Sequence, residues 1–427
     1  MEDLLHRLST LSPTPLSRRS ALSVPFVVPL AIGAAGCAVR GAGVQSRGAV
    51  SATDYAARAE LLRARLPALA EYAAESIPGF QVACVIDGAV AWSAGYGTLS
   101  RGGGRAVDDA TVFDLGSLTK PVFAATVMRL RDRGVIDLDR PLLSYVDYVD
   151  VRGQDAAARV TARHVLTHTT GLPNWRPFAA GSALKFVAEP GARFGYSGEG
   201  FFWLQHVIEV LTDTPIGRLV RKEVLDPLAL SRSSLVFEPR FNANYAQGHG
   251  GAGSTGRNSF NKQSADRVRG VLGATGPDLQ DVSIAAMRGA LVAATPSLTA
   301  GPSPVLYPVN VAASLHSTAG DYAQFMTAFM SRSGRGLLSG ESSREMLTSR
   351  TRITANTGYG LGWRVEEIAA GKAFWHSGYN EGFHSFALGD PEGRFGVVVL
   401  TNSDEGHALR WPVVQGGTGH GEAAILS

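Results

Sequence analysis

Cysteine is nearly absent from this chain: Cys37 and Cys84 are the only two among 427 residues. If Cys37 is lipidated or cut away, no intrachain disulfide is left. Cys84 lies in the apolar run Phe80–Ile86 and reads as a small buried hydrophobe rather than a reactive thiol. Lysine is scarce as well, at positions 120, 185, 222, 262 and 372 only. Alongside abundant Ala, Gly and Arg, that scarcity points to codon usage and not to chemistry. The formal net charge is only +3, and no basic run interleaves with aromatics, which leaves nucleic-acid binding without support. No Gly-x-Ser-x-Gly elbow occurs, which argues against an α/β-hydrolase. His164 and His168 are four apart, but Val165 stands where a zinc-protease helix carries its glutamate. No metal or other cofactor is therefore expected.

The first forty residues look like an address. Arg18-Arg19 precedes a mostly apolar stretch, Ala21 to Gly36, broken by Pro25 and Pro29. A spanning helix needs roughly 20 apolar residues, so this stretch is too short to be one. Paired arginines before a modest apolar run resemble a twin-arginine export signal, and Ala34-Ala35-Gly36-Cys37 resembles a lipoprotein cleavage box. The expectation is an export signal over residues 1–37, with Cys37 as a lipidation site, and a linker over 38–51. The mature protein is expected in the cell envelope or secreted, with a lipid anchor as its link to the membrane. No obligate protein partner is inferred.

Residues 52–427 read as one α/β domain of the α+β type. Leu61, Leu62, Leu66 and Leu69 have helical spacing within 52–75. Strand-like runs at 81–86 and 90–96 are joined by Asp87-Gly88, a strong hairpin signal. Further strands are expected at 363–368, 373–376, 383–388 and 395–401. Strands at both ends of the chain imply an antiparallel sheet built from both ends and flanked by helices. A mostly helical lobe, about residues 117–310, is inserted between them. Within it, 241–309 is rich in Gly, Ser, Asn and Pro and reads as a long insertion with one helical patch at 281–292.

Ser-x-x-Lys occurs three times, as Ser117-Leu-Thr-Lys120, Ser182-Ala-Leu-Lys185 and Ser259-Phe-Asn-Lys262. Only Ser117 follows a glycine and opens a long apolar helix. Ser259 is expected in a loop, with no helix to hold the pair together. On a helix, residues three apart share a face, so the Lys120 amine reaches the Ser117 hydroxyl. A serine hydroxyl is a poor nucleophile until a base takes its proton. Lysine serves as that base only when desolvation or a neighbouring cation lowers its pKa, so the pair belongs in a closed cleft.

Later segments complete a pattern: Phe113-Asp-Leu-Gly-Ser-Leu-Thr-Lys120, His168-Thr-Thr-Gly-Leu-Pro173, Tyr196-Ser-Gly198, Ser317-Thr-Ala-Gly-Asp321, Tyr359-Gly-Leu-Gly-Trp363 and His376-Ser-Gly378. On these the chain resembles the serine β-lactamase-like superfamily. The closer branch holds class C β-lactamases, D,D-carboxypeptidases, D-aminopeptidases and the esterases built on their fold. The resemblance implies a β-lactamase/transpeptidase-like fold and a serine hydrolase working through an acyl-enzyme. It implies Ser117 as nucleophile, Lys120 as its base partner and Tyr196 as second acid/base group. His376, with Ser377 and Gly378, would hydrogen-bond or place positive charge near the tyrosine or a substrate carboxylate. The oxyanion would be held by the backbone N–H groups of Ser117 and Tyr379.

The middle motif of the penicillin-recognising members is Tyr-x-Asn, whose Asn binds the substrate's side-chain amide; here the third residue is Gly198. An ester or other small acyl substrate is therefore expected ahead of a β-lactam. A D,D-carboxypeptidase, D-aminopeptidase or weak β-lactamase is the alternative, with an amide or peptide as substrate. A non-catalytic binding protein on the same fold is the alternative of another class. The retained Ser, Lys, Tyr and His favour an enzyme. Trp175, Tyr359, Trp363 and Tyr379 are read either as pocket lining or as core, and His168 as a brace for the turn at 171–173.

Overall fold

The computed structural model describes residues 52–177, 183–273, 276–294, 303–330, 336–368 and 371–418. The chain divides into two units, Met1–Val50 and Ser51–Ser427. The expected export signal, Cys37 and the linker lie outside the described residues, as does Ser182.

Helix α1 (Ala52–Ala73) leads into the hairpin of β1 (Gly79–Ile86) and β2 (Ala89–Gly97). Asp87 and Gly88 both take left-handed backbone, with φ of 50° and 70°. Two left-handed central residues make the turn whose twist matches that of paired strands. The middle of the chain holds β3 (Phe113–Asp114), α2 (Thr119–Asp132), α3 (Ala162–Leu166), α4 (Gly198–Thr212) and α5 (Ile216–Val220). It continues with α6 (Phe260–Leu272), α7 (Ile284–Ala294), β4 (His316–Ser317), α8 (Ala319–Met326) and α9 (Gly340–Met346). The chain returns through β5 (Thr351–Arg352), β6 (Thr357–Tyr359), β7 (Arg364–Ile368), β8 (Gly371–Asn380), β9 (Phe383–Gly389), β10 (Phe395–Thr401) and α10 (Arg410–Thr418).

Eight strands form one antiparallel sheet in the order β2-β1-β10-β9-β8-β7-β6-β5, and β3 pairs with β4 in a small second sheet. The two ends of the chain meet where β1 pairs with β10, Phe80 opposite Thr401 and Ile86 opposite Phe395. Every residue of β10 is buried, as in a strand covered on both faces. The alternation along β1 shows which helix covers which face. Gln81 points to α8, accepting the Ala319 N–H at 2.8 Å. Cys84 points the other way, toward the end of α10 at Gly417, and burial pushes its thiol up to about 12.

Three elements differ from the sequence reading. Helix α2 has no solvent side: Val122, Phe123, Ala124, Ala125, Val127 and Met128 are all buried, so it runs through the core instead of lying on it. Residues 216–224, ahead of Pro227, read from the sequence as one helix; the structure divides the segment into α5 and a wider turn over Arg221–Leu225. The insertion carries a helix that its polar composition hid. Ser259, expected in a loop, caps α6 by accepting the Lys262 N–H at 3.1 Å.

Candidate active site

The segment between β3 and α2 is a tight turn braced at each peptide. Gly116 has φ of 53°, a left-handed conformation that residues with a side chain rarely adopt. A Cβ on Gly116 would stand 2.7 Å from the Tyr379 nitrogen, so β8 approaches the turn at contact distance. Gly378 is constrained in the same way: a Cβ there would lie 2.1 Å from the Leu115 carbonyl oxygen and 3.0 Å from the Ser117 nitrogen. The Thr119 hydroxyl donates to the Gly116 carbonyl at 2.6 Å, and the Tyr322 hydroxyl donates to the Leu118 carbonyl at 3.0 Å. Ser117 lies just before α2 rather than in its first turn.

Lys120 is 1% exposed. Its amine donates to the Ser117 hydroxyl at 3.1 Å and to the Ala312 carbonyl at 2.8 Å. Among the described residues no carboxylate lies within ion-pair distance of it. Burial without a counter-ion holds its pKa well below the ordinary lysine range. The Tyr196 hydroxyl is bonded to the Ser117 side chain, and burial pushes that phenol's pKa up. The Lys120 nitrogen also sits 4.6 Å from the centre of the Tyr196 ring. Ser117, Lys120 and Tyr196 are thus brought together.

His376 is placed differently from the expectation. Strand β8 does not end at the histidine but runs on to Asn380, paired with β9 all the way and with β7 only as far as Trp375. The His376 imidazole donates from Nδ1 to the Ser377 carbonyl at 2.7 Å, and its Nε2 accepts from the Tyr359 hydroxyl at 2.7 Å. Its ring centre is 6.3 Å from that of Tyr196. Burial, then the nearby Lys120 amine, pushes its pKa well down. Of the two parts considered for this position, the structure shows the hydrogen bond, made to Tyr359 and not to Tyr196, and burial disfavours the charged imidazole. Ser377 is half-buried, Gly378 is buried and Tyr379 is 47% exposed.

The third Ser-x-x-Lys copy separates cleanly from the first. The Lys262 amine donates to Asp266 at 2.8 Å, along its own helix and away from Ser259. Of the four aromatics left open, Trp363 and Tyr359 are fully buried, whereas Trp175 and Tyr379 retain exposure.

With this geometry in place, the comparisons decide the family. Residues 65–414 match the beta-lactamase family profile. The chain belongs to the beta-lactamase family. It is 34% identical over 133 residues to esterase EstB of Burkholderia gladioli, spanning 30% of this chain and 34% of that protein. It is 29% identical over 186 residues to penicillin-binding protein 4 of Amycolatopsis lactamdurans, spanning 40% of this chain and 49% of the relative. Each match thus covers half or less of the curated relative's length. The octameric penicillin-binding protein homologue from Pyrococcus abyssi superposes with a TM-score of 0.61 at 22% identity, over 83% of this chain and 75% of that one. That likeness establishes the shared fold.

Two groups escaped the sequence reading. His168, read as a turn brace, is buried and left-handed at φ 55°; its Nδ1 accepts the Ser197 N–H at 3.0 Å. Its ring stacks on Tyr196 with centres 4.1 Å apart, so it positions the tyrosine. Its conformation, not its motif, is the signal. The second group is centred on Asp114, 1% exposed. One carboxylate oxygen accepts from the Gly116 N–H at 3.2 Å and the Asn380 amide at 2.6 Å; the other accepts from the Asn261 amide at 2.8 Å. Gly116 and Asn380 adjoin Ser117 and Tyr379, so a single carboxylate ties down both flanks of the turn–strand contact. The Ala313 carbonyl accepts from the same two amides at 2.9 and 3.1 Å. It follows Ala312, whose carbonyl receives Lys120.

Asp114→Asn leaves one of these donors facing an amide nitrogen, and turnover number is expected to fall about tenfold with KM little changed, as for a misplaced site. Steady-state kinetics on folded protein checks it; an unchanged turnover number for both Asp114→Asn and Asp114→Ala would remove Asp114 from the account.

Proposed function

We propose that this protein is an exported serine hydrolase that works through an acyl-enzyme on Ser117, acting on an ester or another small acyl substrate. The observation that carries the reading is the Lys120 amine, buried without an acid partner, 3.1 Å from the Ser117 hydroxyl. A lysine whose charged form is disfavoured by burial can take the serine's proton as the hydroxyl attacks the carbonyl carbon. The negative oxygen that forms is held by the N–H groups of Ser117 and Tyr379, donors of a kind worth about 3 kcal/mol each. Tyr196, bonded to Ser117 and lying against the Lys120 amine, relays the proton taken from Ser117: it gives its own to the leaving oxygen and is reprotonated from Lys120, so both return to their starting forms. Water then attacks the acyl-enzyme with the same groups acting in reverse. His376 has a positioning part, keeping Tyr359 beside the ring of His168, which in turn backs Tyr196.

Esters are favoured over β-lactams and peptides because Gly198 offers no side chain to a substrate amide. The names of EstB and of penicillin-binding protein 4 suit an ester and a cell-wall reading respectively. The export part rests on Arg18-Arg19 and the segment ending at Cys37.

Ser117→Ala is expected to abolish labelling by a fluorophosphonate and turnover of a p-nitrophenyl ester, while Ser259→Ala keeps both. Labelling of the Ser117→Ala protein at another serine would end the proposal. A colorimetric cephalosporin turned over faster than the ester would transfer the assignment to the β-lactamase alternative. Export is tested separately by the intact mass of protein recovered from the cell envelope. A chain beginning at Cys37 with added acyl mass supports anchoring; an uncut amino terminus contradicts it.

A further inference from the structure

The space that a side chain at position 198 would need is already filled. A Cβ on Gly198 would lie 2.3 to 2.7 Å from three carbons of the Trp175 indole. Trp175 is held there by its neighbours. The Asn174 carbonyl accepts from the N–H groups of Gly198 and Glu199 at 2.9 and 3.0 Å. The Ser197 hydroxyl donates to the Pro173 carbonyl at 2.8 Å. On the far side, the Arg176 N–H donates to the Glu199 carboxylate at 2.8 Å, and its guanidinium bonds Glu199 and Asp150. Glu199 is fully buried, so the Arg176–Glu199 side of this clamp is held away from water, while Asp150 keeps some exposure. The loop 173–176 is thereby riveted to the start of α4, two residues beyond Tyr196.

The same contacts use up the donors at that helix start. Gly198 and Glu199 N–H groups go to Asn174, and the Gly200 N–H goes to the Ser197 hydroxyl at 3.0 Å. What this side of Tyr196 offers is the partly buried indole of Trp175, which keeps some exposure, and no free backbone N–H from Gly198, Glu199 or Gly200. An apolar or flat group gains by packing there, whereas an amide would lose its water without finding a partner.

We propose that Trp175 is the specificity-determining wall of the acyl site. It favours substrates whose acyl group is apolar or aromatic beside the reacting carbonyl and disfavours those with an amide at that place. This rests on Ser117 being the nucleophile, and it narrows the substrate class of that same site. Position 175 sets the preference through shape and hydrophobicity, so phenylalanine is a partial substitute and alanine is not.

The test is kcat/KM for p-nitrophenyl acetate, benzoate and N-acetylglycinate with the full chain and with Trp175→Phe, Trp175→Ala and Trp175→Ala/Gly198→Asn. In the unaltered protein, benzoate is expected to exceed N-acetylglycinate by about tenfold or more. Trp175→Ala is expected to lower the benzoate-to-acetate ratio about tenfold, with Trp175→Phe restoring most of it. The double variant should raise N-acetylglycinate relative to benzoate. Equal losses on all three esters, or ratios unmoved by any variant, would overturn the inference while leaving the nucleophile intact. No ester turnover and no fluorophosphonate adduct on Ser117 would overturn the underlying reading and this inference with it.

Discussion

An amine buried with no acid beside it is the constraint around which this site is arranged. A buried ammonium is strongly disfavoured unless paired, so Lys120 is held toward its neutral form by position alone. Everything nearby respects that requirement. The amine's polar contacts are a hydroxyl and a carbonyl. Burial also disfavours the charged form of His376, whose Nε2 is turned to Tyr359. Helix α2 is buried from Thr119 to Met128, and its last turn sends Arg129 to Glu223 and Arg131 to Glu345.

The second constraint is closeness. Two backbones, the turn at 115–117 and the strand at 378–379, approach within the space that one methyl group would occupy. Gly116 and Gly378 permit the approach, and Asp114 fixes it by binding both sides. The insertion takes part as well: Asn261, from α6, supplies one of the amides that saturate Asp114. The segment read from composition as a long insertion therefore reaches the back of the turn that carries Ser117.

Much of this was legible in the sequence. The hairpin at Asp87-Gly88 and the run 395–401 declare themselves by turn chemistry and β-branched residues, and the two-ended sheet follows. Ser117 stood out from Ser259 because a glycine precedes it and a long apolar helix follows. What stayed hidden depends on long-range contact. Nothing local distinguishes Asp114 from a surface aspartate, since its partners lie 2, 147 and 266 residues away. His376 gave a position but not a partner, because Tyr359 reaches it across β7. Helix α6 was masked by a polar run whose first serine is a cap. Gly198 was visible as a departure, but its cause, the indole of Trp175, could be seen only in three dimensions.

The scarcity of lysine makes the central claim directly measurable. With only five lysines in the chain, protein labelled with ε-carbon-13 lysine gives few resonances, and Lys120→Arg identifies the one of interest. On raising pH, the Lys120 signal is expected to shift well below the ordinary lysine range, which lies near about 10.4. The pH limb of ester acylation should follow that same signal. If Lys120 instead titrates in the ordinary lysine range, or acylation gains nothing until that range, its amine is not the base poised for Ser117.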